Sequence, residues 1–212
     1  MLLGGRQTLA QRVALCRTAG QLSVLLSGAA FDLGDFPGAY AHLLTAEQLG
    51  REVGDHALLA SVRAIQTMVA LWDGDLSMAL SYAQDGRRYA TNGGQRAVLA
   101  IRGEARALAR MGDPSGFFEA LRRAERARPG HYQPPDDPYE AWWSYNPADF
   151  ELYTGISLLW LGQPADAEPH ARQAIASYQD LPSQFQTGSN PAQARIIIGS
   201  PELSVVDVAD VA

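Results

Sequence analysis

The chain has 212 residues, 47% of them hydrophobic, a net charge of −6 and a single cysteine, Cys16. That length can bury a full core in one elongated domain. The lone cysteine leaves no disulfide framework and no thiolate metal site, and the acidic balance gains little from phosphate contacts, which argues against unaided nucleic-acid binding.

Helix signals dominate in chain order. Leu9, Val13, Leu15, Leu22, Leu25, Leu26 and Phe31 recur at three- and four-residue steps, the period of a helix over 8–33, with a break or bend expected around Gly20. Pro37 opens the next helix, which runs to about Val53 and is stopped by Gly54-Asp55. A second hairpin is predicted over 57–72 and 76–90, ended by Asn92-Gly93-Gly94. A third covers 96–110 and 115–128, and a fourth 147–161 and 165–178. Between these two, residues 131–146 read HYQPPDDPYEAWWSYN. The prolines exclude a regular helix through Pro138. The aromatics Tyr132, Tyr139, Trp142, Trp143 and Tyr145 are expected to fold back onto a neighbouring helix. Beyond Pro182 the polar QFQTGSNPAQ reads as loop. The apolar end, with Val205, Val206, Val208 and Val211, is expected to pack on another surface, a second copy giving a homodimer included. The chain therefore divides into 1–181, four hairpins, and 182–212, a loop with a partial fifth repeat or tail. No apolar run approaches the ~18–20 residues of a membrane span, and the start lacks a secretory pattern, so a cytoplasmic location without a membrane partner is expected.

Four turns share one local frame: LGDFPGA (33–39), DGDLSMA (73–79), MGDPSGF (111–117) and LGQPADA (161–167). Seven residues before the glycines Gly34, Gly74, Gly112 and Gly162 stand Ser27, Thr67, Ala105 and Gly155. Five after them come Ala39, Ala79, Phe117 and Ala167, and twelve after them Ala46, Gly86, Ala124 and Ala174. Small residues on both sides of a glycine turn let two antiparallel helices approach closely, and a hairpin that recurs this way points to a binding module. The frame resembles the tetratricopeptide repeat. The resemblance implies an all-α, right-handed superhelix of antiparallel helical hairpins, with the first helix of each hairpin lining the concave face. The glycines lie 40, 38 and 50 residues apart, against a family period of about 34, so longer helices and one insertion are expected. Phe117, where the frame has alanine, is expected to hold the third pair of helices further apart.

Chemical motifs are few. HExxH, a Gly-rich phosphate loop, paired cysteines and GxSxG do not occur, and His42, His56, His131 and His170 stand singly. No catalytic residue, metal or cofactor is assigned, and the chain reads as non-enzymatic. Cys16 reads as a buried small hydrophobe. The family's inward positions fall on Gln21 in the first unit, Trp72 in the second, Arg102, Arg106 and Arg110 in the third and Trp160 in the fourth. The three arginines stand at four-residue steps and make one basic stripe, which costs about 0.2–0.5 kcal/mol per like-charged pair. Either Glu104, Glu119 or carboxylates of adjacent helices offset the stripe, or it is a solvated face, or it clamps a carboxylate or phosphate through paired hydrogen bonds. Trp72 and Trp160 are either its apolar walls or interhelix core. Arg63 is expected to lie off that face.

Longer stretches carry a second resemblance. GRQTLAQR (5–12), FDLGDFPGAYAHLLTAEQLGREVGD (31–55), EARALARMGD (104–113) and WWSYNPADFELYTGISLLWLGQPADAEPHARQAI (142–175) are similar to the sensor region of actinobacterial XRE-type helix-turn-helix transcriptional regulators. In that family a DNA-binding domain precedes the repeats. Here the repeats begin almost at Met1, so the expectation is a regulatory part lacking the DNA-binding domain, with the stop at Ala212 fitting a fragment. The resemblance implies a peptide or protein partner, or a small anionic ligand. A stand-alone scaffold or adaptor joining protein partners is the alternative.

Overall fold

A computed structural model describes residues 8–131, 139, 144–181 and 189–199. Among these, all regular structure is helical. The helices are α1 (Leu9–Asp32), α2 (Phe36–Val53), α3 (His56–Asp73), α4 (Leu76–Tyr89), α5 (Gly93–Val98, then a π-helical stretch Leu99–Ala105, then Arg106–Arg110), α6 (Pro114–Ala127), α7 (Pro147–Trp160), α8 (Pro164–Gln179) and α9 (Ser189–Gly199).

One local device makes the turns. Gly34, Gly54, Gly74, Gly112 and Gly162 all have positive φ, between 66° and 87°, a conformation that is costly for a side chain. The next residue is Asp after all but the last. Asp35, Asp55, Asp75 and Asp113 each accept a hydrogen bond from the backbone N–H three residues on, at 2.9–3.1 Å. Glycine thus ends one helix and aspartate caps the next, each cap contributing on the order of 1 kcal/mol. At Gly162 the following residue is Gln163, which makes no side-chain cap, and α8 relies on Pro164 in its first turn.

The small-residue frame is the helix–helix contact. Ser27, Thr67 and Ala105, then Ala39, Ala79, Phe117 and Ala167, then Ala46, Ala124 and Ala174 are all buried, as are Gly155 and Gly86. A methyl group on Gly86 would stand 2.9 Å from Cβ of Arg63, closer than such atoms pack. The pairs α1–α2, α3–α4, α5–α6 and α7–α8 close on these positions. The first helices also touch in series: α1 meets α3, α3 meets the π-helical stretch of α5, and α5 meets α7. The second helices of the first two hairpins in turn support the next first helix, α2 against α3 and α4 against α5.

The structure departs from the sequence reading in three places. Gly20 does not break α1; it is buried in a continuous helix, where an added methyl would meet Leu58. The polar segment 184–193 is not all loop, because α9 begins at Ser189 and packs on α7 and α8. And α1 is, by length and composition, apolar enough to cross a membrane, with a mean hydropathy of 1.2 over its best window. It packs along α2 and α3 and is tied to α2 by Arg12–Glu52 and to the start of α3 by Arg17–Asp55 at 2.5 Å. Cys16 is buried, as expected. Tyr139 packs against the core formed by Val24, Leu58 and Val62, and Tyr145 is buried in the core that holds Ala148 and Phe150, so both fold back onto the helices. Tyr132, Trp142, Trp143 and the valines beyond position 199 lie outside the described residues.

Phe117 is fully buried and sits where other hairpins carry alanine. The element opposite it is the π-helical stretch, whose turn is wider than that of an α-helix. Phe117→Ala should empty this site at a cost of about 3–5 kcal/mol, read as a lowered urea midpoint at unchanged m-value. A change under about 1 kcal/mol would show that the third hairpin closes equally well on alanine.

Candidate functional site

The basic stripe of the third hairpin forms one side of an aromatic cage. Arg102 comes from the π-helical stretch of α5, and Arg106 and Arg110 from its last turn. Opposite, α7 carries Tyr153 and Trp160, seven residues apart, two helical turns and so on one side. The guanidinium of Arg106 lies 4.8 Å from the Tyr153 ring centroid and 5.4 Å from that of Trp160. Arg102 flanks Tyr153 at 5.4 Å, and Arg110 flanks Trp160 at 5.6 Å. Cations and ring faces therefore alternate, each contact contributing on the order of 0.5–2 kcal/mol.

None of the three arginines is ion-paired among the described residues. Glu104 is fully buried but committed elsewhere: Oε1 lies 2.8 Å from Nε of Arg87, and Oε2 accepts from Nη2 of Arg123 at 2.6 Å. Glu119 stands 3.9 Å from Arg123. Arg110 donates Nη1 to the carbonyl of Leu71 at 2.6 Å. Arg106 is only 5% exposed. Its burial pushes the guanidinium down to about 10, with Arg102 and Arg110 acting in the same direction against Tyr153. It still carries its charge at neutral pH. Nε of Arg106 and Nε1 of Trp160 are both buried without a hydrogen-bond partner.

The other residues singled out from the sequence do not join the cage. The half-buried Trp72 ring packs edge-on against Phe31 at 6.4 Å, an interhelix contact one residue past the carbonyl that Arg110 holds. Gln21 lines a separate cleft of about 350 Å³ with Arg17, Asp55, Gln95 and Tyr139. There the hydroxyls of Tyr139 and Ser61 are hydrogen-bonded. Tyr153 escaped the sequence reading because it stands one position off the family's inward register; its two-turn spacing from Trp160 was the available signal. Among the described residues no group of three or more His, Cys, Asp or Glu side chains could hold a metal ion. Comparison with protein-family models, with curated proteins and with solved structures gives no match.

Arg63 shows what a paired arginine looks like here. It is 9% exposed. Nη1 and Nη2 donate to Glu47 at 2.7 and 2.9 Å, Nε to Asp85 at 2.7 Å, and Nη1 also to Gln66 at 2.6 Å. This fork joins α2, α3 and α4, so Arg63 is a structural clamp. The hydrogen bond from Arg63 holds Glu47 down to about 2, from its ordinary 4.5, against the effect of burial. A depressed carboxylate stabilises the fold above its unfolded value and loses that contribution as pH falls through the folded one. The melting temperature should therefore fall as pH drops from 4.5 to about 2. Glu47→Gln, which has no charge to lose, should decline less over that window. Parallel declines would remove Glu47 as the cause.

Proposed function

We propose that this chain is a non-enzymatic binding module of the tetratricopeptide type, a right-handed superhelix that takes up a peptide, a protein or a small anionic ligand on the layer of its first helices. The single observation that carries the reading is that layer: α1, α3, α5 and α7 meet in series, and α5 brings to it three arginines set against the rings of α7, of which the buried Arg106 has no carboxylate acting on it. Charged side chains are rarely buried without partners in a layer whose only task is support. The resemblance of residues 5–176 to sensor regions of XRE-type regulators makes the sensing part of a cytoplasmic transcriptional regulator the role we assign to it.

A scaffold role is the second reading, and α1 favours it. Leu9, Leu22, Leu25 and Leu26 along α1, and Leu33 at its C-terminal cap, are all exposed, apolar surface of the kind that marks protein contact.

Two variants separate the readings. Met68 lines the cleft between α3 and α5 beside Arg102 and Arg106, whereas Leu26 faces solvent on α1. A screen of peptides and acidic metabolites by thermal shift, followed by calorimetry, should yield a 1:1 binder lost in Met68→Glu and kept in Leu26→Asp. A co-purifying protein lost in Leu26→Asp and kept in Met68→Glu would instead establish the scaffold. Binding unaffected by both, or no binder in either assay, would remove the inner layer as the site.

A further inference from the structure

At the centre of the cage stand donors without an acceptor: Tyr153 and Asp149 act on Arg102, whereas no carboxylate acts on Arg106. Among the described residues, five buried side-chain atoms lack a hydrogen-bond partner: Nε of Arg87, Oε1 of Glu104, Nε of Arg123, Nε of Arg106 and Nε1 of Trp160. The first three belong to the Glu104 ion-pair cluster, where opposite charges already stand within 2.6–2.8 Å. The remaining two share the cage, the Arg106 guanidinium lying 5.4 Å from the ring that carries the indole N–H. Both groups can only donate. A buried unmet donor costs about 1–3 kcal/mol, and a buried charge without a counter-charge costs more. A neutral acceptor would satisfy the N–H groups but leave the charge. An oxyanion supplies both lone pairs and negative charge.

From this we infer that the cage binds an oxyanion, the carboxylate or phosphate group of a small ligand, between Arg102, Arg106 and Arg110, with the Trp160 indole N–H as a further donor. The inference rests on the inner-layer reading and names the chemistry of that same site. Two features give the anion access. Arg102 and Arg110 are only partly buried, so they form the entrance on either side of Arg106. The cleft in front of Arg102 and Arg106 holds about 10 Å³, room for one water. One of its walls is Met68, an unbranched side chain that changes rotamer readily. Binding is thus a local opening at Met68 followed by pairing of charges that the fold leaves unpaired. The position of Arg102 on a π-helical turn agrees with this, since such turns recur at functional sites.

The test reads the donors directly. The full chain, labelled with nitrogen-15, is titrated with inorganic phosphate and, separately, with citrate, each against sodium chloride at matched ionic strength. The Nε–H of Arg106 and the indole Nε1–H of Trp160 should shift saturably with phosphate or with citrate, and the arm that saturates first names the oxyanion. Chloride should move neither, and Nε–H of Arg63, already paired, should stay still in every arm. In the companion variant Arg106→Met the melting temperature in anion-free buffer should rise, because an uncompensated charge is gone. The anion-dependent stabilisation of the wild type should disappear, with affinity at least about tenfold weaker. The surface control Arg122→Ala should keep it.

A melting temperature that falls in Arg106→Met, with no anion effect in the wild type, makes the arginine structural and overturns the site. So do equal shifts in phosphate, citrate and chloride, which would be screening alone. A peptide that binds Arg106→Met as tightly as wild type, while phosphate and citrate leave Nε of Arg106 unmoved, overturns the oxyanion and leaves the binding module standing. Loss of every binder in Met68→Glu together with saturable citrate or phosphate shifts in the wild type supports both.

Discussion

The close approach of paired helices at residues without bulk is the constraint on which the rest depends. Ala39, Ala46, Ala79 and Ala124 are fully buried, and Gly86 admits no further carbon beside Arg63 and Leu99. Two helices separated by alanine and glycine leave little apolar area between them per residue, so each hairpin alone is weak. Stability comes from stacking, in which α3 and α5 are each covered by their own partner and by the second helix of the hairpin before, and α7 by α8, α5 and α9. The same closeness forces polar side chains of successive helices into contact. Arg63 meets Glu47 and Asp85 from the helices on either side, and Glu104 meets Arg87 and Arg123 in the same way. The ion pairs are therefore consequences of the spacing, one set where the first hairpin meets the second and one where the second meets the third.

Against that background the third hairpin is electrostatically different. Arg63 is buried with two carboxylates and an amide at 2.6–2.9 Å. Arg106, buried more deeply, has only the faces of Tyr153 and Trp160. A ring face offers on the order of 2 kcal/mol to a desolvated cation, while an interior charge without a counter-ion loses several. Two such faces narrow the deficit without closing it. The carboxylate nearest in sequence, Glu104, points away because its place on the π-helical stretch turns it toward α4 and α6, where it is fully buried between two other arginines. The local geometry that could have paired the stripe internally is spent on holding α4, α5 and α6 together.

The fold was legible because its signals are local and repeat. Every hairpin turn glycine was identified, and predicted helix ends fell within a few residues of those found, since glycine and aspartate act on the backbone next to them. Gly20 was misread for the opposite reason. A glycine inside a helix means either a break or a close neighbour, and only Leu58, 38 residues away, decides which. The start of α9 was hidden because Ser189, Asn190 and Pro191 suit a loop and a helix N-terminus equally. Of the site, the arginine stripe and Trp160 were legible from spacing, since three arginines at four-residue steps share a face on any helix. Tyr153 was not, because it stands one position off the register borrowed from the repeat family, on a helix that is otherwise regular. Trp72 and Gln21 satisfied the register, yet one is taken by Phe31 and the other lies in a different cleft.

The departures from the repeat and the unpaired charges fall on the same hairpin, and one physical chain links them. Phe117 replaces alanine, so α6 presents a ring where the other second helices present a methyl. The opposing backbone of α5 leaves α-helical geometry over Leu99–Ala105, at Gly103, which has the weakest preference for a regular helix after proline. Gly103 in turn lies against Ala83 and Thr67, so closely that an added methyl would stand 2.8 Å from Cβ of Ala83. A π turn shifts every later side chain around the axis relative to a continuous α-helix. Glu104 sits inside that turn and Arg106 just beyond it. The turn therefore separates a carboxylate from an arginine only two residues on, sending one into the ion-pair cluster and the other against the aromatic face of α7. A regular helix in the third hairpin would keep the repeat frame but lose this partition, and with it the unpaired charge on which a site for an anion depends.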